Sequence, residues 1–354
     1  MTLIFAGVRG RDQASGTGWA APSDAPLGHE QSGTAPGANT SANSNANTSG
    51  SLSSDNRHGN DNGHRTIPVK TAAQLELALS IVNPGETIQL AKGTYVGNFS
   101  TTRAGTAEKP IRLVGTADSI LINSGTSGTA PACPAPTEGW NSGYGLWLSH
   151  APHWELSGFT INDSKKGLVI DASPFVTVDG ISMTRIEEAG VHFRDSSSDG
   201  VLKNSTISHI GLVKPGYGEA VYIGSANSNW KCFGSSNGVD GSDRVQMLNN
   251  HLGPFIAAEP VDIKEGTYDG VIRGNFFDGQ GITGENSGDS WIDVKGNNYL
   301  IEGNTGTFAL PGVFANGYEI HTQVAGWGCG NVFSSNAVTN AVKGLTNVKV
   351  TPAP

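Results

Sequence analysis

The sequence predicts an all-β solenoid, a single-stranded parallel β-helix with a short N-terminal capping helix, and three observations predict it. A strand motif with apolar first and third positions recurs: Leu146-Trp147-Leu148-Ser149, Leu168-Val169-Ile170-Asp171, Val191-His192-Phe193-Arg194, Val221-Tyr222-Ile223-Gly224, Val261-Asp262-Ile263-Lys264, Ile292-Asp293-Val294-Lys295 and Tyr318-Glu319-Ile320-His321. These segments start 22, 23, 30, 40, 31 and 26 residues apart, with no helical pattern between them, so the coils differ in loop length alone. A second motif follows most of them, ending at Asn204, Asn250, Asn275 and Asn304. Asn tolerates the left-handed backbone of a turn, and stacked Asn side chains bond one another. The third observation is compositional: 49 of 354 residues are Gly and only 15% are charged, which suits short strands and tight turns and excludes a coiled coil. A β-sandwich would instead place Asn-Gly or Asp-Gly hairpin signals at regular spacing, whereas Asp199-Gly200 and Asp269-Gly270 fall between repeats.

The elements follow in order. The opening MTLIFAGVRGRDQ reads poorly as a signal peptide, because its apolar run is short and no positive residue precedes it. Residues 12–63 are a Ser, Asn, Gly, Thr and Ala tract with hardly a large apolar side chain, too little to offset the entropy of ordering it. Residues 1–64 are therefore expected to be a disordered leader or linker, and 65–354 the β-helix domain. Thr71-Ala72-Ala73-Gln74 is a capping box in front of Leu75, Leu77, Ala78, Leu79, Ile81 and Val82, and Asn83-Pro84-Gly85 closes that helix. It covers the open end of the stack, which would otherwise expose a sheet edge. Glu86-Thr87-Ile88-Gln89-Leu90 is the first alternating strand, followed by the turn Lys92-Gly93-Thr94-Tyr95.

Stacking, at about 4.8 Å per coil, turns the repeats into columns. Alternation places Val261, Ile263, Ile292 and Val294 inside. The second, outward position reads Trp147, Val169, His192, Tyr222, Asp262, Asp293, Glu319 along the stack. The fourth reads Ser149, Asp171, Arg194, Gly224, Lys264, Lys295, His321, and Glu219 and Glu259 fall two positions ahead of their strands. Like charges thus stack directly, Asp262 over Asp293 and Lys264 over Lys295, which destabilises a sheet unless a counter-ion sits between them. Such a pile-up in a chain so poor in charge marks a site rather than a solvated face. Glu219, Glu259, Asp262 and Asp293 are the candidate ligands for Ca²⁺, which favours clustered carboxylates. Lys264, its pKa expected to be lowered by its neighbour Lys295, is the candidate general base, and Arg194 and Lys295 complete the candidate catalytic set. His192, Tyr222, Glu319, His321, Trp147 and Trp291 are candidate substrate contacts, the aromatic rings stacking on sugars. The substrate suited to a cation and a base together is a uronic-acid polysaccharide in an open groove along the solenoid.

The net charge of −9 excludes broad nucleic-acid binding, which needs a basic surface. No apolar run reaches the ~18 residues of a membrane-spanning helix. The chain is expected to be a secreted monomer. Cys133, Cys232 and Cys329 match no metal motif. One disulfide is expected, between Cys232 and Cys329, which lie in similar segments, Trp230-Lys231-Cys232 and Trp327-Gly328-Cys329.

Leu75 to Tyr95, with PGETIQLAKGTY, then EKPIRLVGT (Glu108 to Thr116) and LWLSHAPHWELSGFTI (Leu146 to Ile161) resemble the opening of the secreted pectate-lyase-like right-handed parallel β-helix proteins, and among these the chondroitinase-B and alginate-lyase family. EPVDIKEGTYDGVIRGNFFDGQG (Glu259 to Gly281) looks like that family's calcium-and-lysine coil. The resemblance implies a polysaccharide lyase, with Lys264 as Brønsted base and Glu259 and Asp262 as calcium ligands. Lys295 departs from the pattern, standing where the family usually has arginine. The rival functions are a polygalacturonase-type hydrolase using Asp262, Asp293 and Glu319, although its Asp-Asp pair and Gly-His-Gly are missing here, a C5-epimerase, and a non-catalytic glycan-binding β-helix.

Overall fold

The computed structural model describes residues 65–347, except 126–127, 138–139, 236–237, 285–287, 309–314 and 341–342. The leader expected over residues 1–64 lies outside the described residues. Among the described residues the chain winds through three parallel sheets of ten, nine and eight strands. The ten-stranded sheet runs from Thr66–Val69 to Val332–Ser334, the nine-stranded sheet from Ser100–Thr101 to Gly344–Thr346, and the eight-stranded sheet from Gly93–Val96 to Thr305–Thr307. Each coil contributes one strand to each sheet in turn, so the equivalent strands of successive coils are neighbours.

The register is the one the alternation demands. Val169 pairs with Trp147 and with His192, His192 with Tyr222, Tyr222 with Asp262, Asp262 with Asp293, and Asp293 with Glu319. Val261, Ile263, Ile292 and Val294 are fully buried in one continuous apolar core. The helix Ala72–Ile81 begins where the capping box places it. Thr71 accepts a hydrogen bond from the Gln74 amide, and the Gln74 side chain accepts one from the amide of Lys70. Leu75, Ala78 and Leu79 face the core, while Leu77 and Ile81 are exposed.

The Asn-bearing turns divide their two tasks between adjacent positions. Asn204 and Asn249 take the left-handed backbone, at φ 52° and 57°, and Gly274 and Gly303 hold the same place in later coils. The next residues carry the amide ladder: Asn250 Nδ2 donates to Asn275 Oδ1 (2.9 Å), Asn275 to Asn304 (2.9 Å) and Asn304 to Asn336 (3.0 Å). Ser205 opens the series, its amide donating to Asn250.

The cysteine expectation needs correction. Cys232 is bonded to Cys133, and Cys329 is a free, buried thiol. Similar flanking residues do not bring two cysteines together. Cys232 lies in the long stretch between Ile223 and Gln246, Cys133 in the one between Ile122 and Tyr144, and these two excursions meet. Cys329 is instead held in a turn, its amide donating to Asn297 Oδ1. Among the described residues no helix is long and apolar enough to cross a membrane.

Candidate active site

The site is built on the outward face of the nine-stranded sheet, where Val221–Ile223, Val261–Ile263, Ile292–Val294 and Asn316–Ile320 lie side by side. Three carboxylates converge there. Glu219, Glu259 and Asp262 bring one oxygen each within 4.8 Å of one another, all buried. Glu259 Oε2 is sealed from solvent and has no hydrogen-bond partner. Burial and the charges of Asp262 and Asp293 push Glu259 well above the ordinary carboxylate range, and burial with Asp262 pushes Glu219 up to about 7. An orphaned buried oxygen beside two carboxyls that resist ionisation, in an all-oxygen set, fits a hard divalent cation.

Two lysines flank this set. Lys264 Nζ contacts Asp262 Oδ2 and lies 4.9 Å from the centre of the Tyr222 ring. Lys295 Nζ bridges Asp262 Oδ1 (2.7 Å) and Asp293 Oδ2 (3.3 Å). Burial works to lower both amines, but the carboxylates outweigh it, and both are raised above the ordinary lysine value. This reverses the lowering expected from lysine beside lysine, because Asp262 lies against both amines and its attraction outweighs their mutual repulsion.

The chain aligns with a solved alginate lyase from Paenibacillus sp. str. FPU-7 at 33% identity, over 82% of this chain and 97% of that one, with a TM-score of 0.70. The chain belongs to the right-handed β-helix polysaccharide lyases. Pectate lyase Pel9A, at 15% identity over 74% of this chain and 70% of that one with a TM-score of 0.50, shares the fold. No protein-family model and no curated protein matches the sequence.

In this lyase not every predicted site residue reaches the groove. Asp293, expected among the metal ligands, turns to Lys295, to Ser290 Oγ (2.8 Å) and to His321 Nε2 (3.2 Å). Burial would raise it, but Lys295 and His321 hold it down at about 2. Glu319 accepts from Asn316 Nδ2 at 2.5 Å and lies 3.6 Å from His321. His321 is raised above the ordinary histidine value, mainly by the Asp293 carboxylate beside its Nε2. His192 is buried, and its Nε2 lies 2.9 Å from the Gly224 carbonyl oxygen. Burial first, then Arg194 and Lys166, holds it well below the ordinary value, so the ring is neutral and Nε2 is the donor.

Three predicted residues are engaged elsewhere. Arg194 is locked in a two-point ion pair with Asp171 (2.5 and 2.9 Å), and the Phe233 ring lies 4.0 Å from its guanidinium carbon. Trp147 is buried against Trp140 and Tyr144, and its Nε1 donates to Asp171. Trp291 lies in the apolar core beside Phe277, because alternation does not extend through the corner that precedes its strand.

Sequence reasoning also missed contributors. Ser290 and Asn316 stand two positions ahead of Ile292 and Tyr318, as Glu219 and Glu259 do of Val221 and Val261, and orient the outward carboxylates Asp293 and Glu319. Lys166 stands in that same column, paired with Glu188 (3.4 Å), and extending the column backwards would have found it. The exposed aromatics at the margins are Tyr217 and Tyr268, the latter packed 4.8 Å from Trp327.

Proposed function

We propose that this polysaccharide lyase cleaves a uronic-acid glycan, with alginate the first candidate because the similar Paenibacillus enzyme is an alginate lyase, by β-elimination assisted by Ca²⁺ held by Glu219, Glu259 and Asp262. In such a reaction the C5 proton is removed, a C4=C5 double bond forms, the C4–O bond breaks, and the leaving oxygen takes up a proton. Ca²⁺ in that set would offset the charge of the substrate's C6 carboxylate, acidify the C5 proton and relieve the hold of Asp262 on Lys264.

Lys264 is the base in this reading, poised between Asp262 and the face of Tyr222. Tyr222 stays a neutral phenol, since burial, Asp262 and Glu219 all raise it, and so suits donation to the leaving oxygen. Lys295, fixed and charged between Asp262 and Asp293, pairs with a substrate carboxylate. The observation that carries the reading is the buried three-carboxylate set, with its unpartnered Glu259 oxygen, directly beside Lys264 and Tyr222. The hydrolase reading is less favoured, because it needs one carboxyl of the Asp262 and Asp293 pair protonated, whereas Asp262 meets the amines of both Lys264 and Lys295 and Asp293 is held at about 2.

The test is a panel of uronic-acid and neutral polysaccharides, followed by ultraviolet absorbance of unsaturated ends and by reducing-sugar release, with and without chelator. Unsaturated ends on uronic substrates alone, lost with chelator and restored by Ca²⁺, are expected. Reducing ends without ultraviolet absorbance mean hydrolysis. Activity indifferent to chelator removes the cation from the reaction.

A further inference from the structure

We infer that the Cys133–Cys232 disulfide closes an arch across the groove, leaving it blind at its N-terminal end, so that the glycan is bound and cut near one of its chain ends. This rests on the proposed lyase reading. The strands of the nine-stranded sheet are parallel, so their first residues line one margin and their last residues the other. The stretch between Ile122 and Tyr144 enters at the first margin, and the stretch between Ile223 and Gln246 leaves from the second. The disulfide joins them. The two excursions therefore reach toward each other over the face that carries the site.

Beneath the arch the outward side chains are covered by the excursions themselves. Trp140 of the first excursion packs on Trp147, and Phe233 of the second, next to the bonded Cys232, lies on Arg194. Further bonds hold the second excursion down: Asp240 accepts from the amides of Asp195 and Ser196, and the Asn227 amide donates to Glu265. Going from Asp262 toward the arch, the rung of Tyr222 comes first, and the rung of His192, whose Arg194 is covered by Phe233, comes second. Two rungs span ~9.6 Å at strand spacing, room for about two sugar residues. Toward the C-terminal end the strands of Asp293 and Glu319 follow, with Tyr268 and Trp327 at the margin. A chain lying in the groove therefore ends at the arch and continues the other way.

The experiment uses uronic-acid oligosaccharides of increasing length, labelled at one end, with the cleaved bond located by mass spectrometry. For the oxidised full chain, cleavage is expected about two residues from the same end at every length. Under reductant, and in the Cys133→Ser/Cys232→Ser variant, cuts should spread to interior bonds. Trp140→Ala, which thins the cover without touching the disulfide, is the second variant and should spread them less. Interior cutting without end preference by the oxidised protein overturns the arch as a barrier, and so does a pattern identical in oxidised, reduced and variant proteins. If no glycan is cleaved under any condition, the lyase reading fails by itself. The arch is then tested by binding oligosaccharides that carry a bulky label at one end or at the other: weakening by a label at one end alone supports a blind groove, and equal binding of both overturns it.

Discussion

The N-terminal and C-terminal halves of the outward face use the same column of one sheet in opposite ways. In the N-terminal half, a buried pair closes upon itself: Arg194 meets Asp171 at two points, Trp147 packs against Trp140, and Phe233 covers Arg194. In the C-terminal half, Glu219, Glu259, Asp262, Asp293 and Glu319 gather around Lys264, Lys295 and His321, and one buried Glu259 oxygen has no hydrogen-bond partner. Both sets are buried, so burial does not distinguish structure from site. What distinguishes them is whether the charges close upon themselves. A closed buried pair is architecture, because breaking it strands a charge. An unbalanced cluster holds its excess for a group that comes from outside.

That contrast is sharpest under mutation. Lys264→Ala should lower the rate of unsaturated-end formation by about 10²–10⁴-fold, the usual worth of general acid–base catalysis, with a smaller loss of stability, because Lys295 still pairs Asp262. A variant retaining near-full rate removes Lys264 from the chemistry. Arg194→Ala should do the reverse, losing about 3–5 kcal/mol because Asp171 is left buried and unpaired. Urea unfolding measures this, and an unchanged midpoint with activity lost would instead place Arg194 in the site.

The pH dependence separates the halves more gently. Glu219 is raised from 4.5 to about 7 in the folded protein. Its protonated form is therefore favoured by folding, a contribution fully present below pH 4.5 and lost as pH rises through about 7. Without added cation the melting temperature should fall across that window. Glu219→Gln should flatten the fall, and Ca²⁺ should raise the plateau above it by mass action. A parent profile that Glu219→Gln does not alter breaks this assignment. The smallest effect is expected outside both halves, at Arg185 and Asp163, whose side chains are 51% and 38% exposed. Arg185→Ala should cost roughly 0–1 kcal/mol despite its short contacts, because water and salt screen the pair.

What is legible in the sequence follows the same division. Alternation within a strand is local and obligatory, so the pattern alone aligns Asp262, Asp293 and Glu319 across coils 31 and 26 residues apart, and the sheet pairs them in that register. Alternation stops at strand ends, which is why Trp291, one residue ahead of Ile292, lies in the core and not among the sugar contacts. No periodic rule directs a long excursion, so the meeting of Cys133 with Cys232, and the cover it places over Trp147 and Arg194, leaves no trace in the pattern. The direction of the Lys264 shift escapes the pattern for a related reason. Stacking shows which residues share a column, while the dominant partner, Asp262, is on the same strand and one column across.

The amide ladder from Asn250 through Asn275 and Asn304 to Asn336 has a consequence for motion. Each inner amide donates to the next coil and also to a main-chain carbonyl, Asn275 to Met247 and Asn304 to Ile272, so no coil can open without breaking bonds in its neighbours. The ladder begins in the coil that follows Glu219 and runs through the coils carrying Asp262 and Asp293, at the turn between the ten- and eight-stranded sheets. Backbone amides of these coils should therefore exchange with deuterium as one slow block, and the groove above them keeps its spacing because its floor opens as a unit or stays closed.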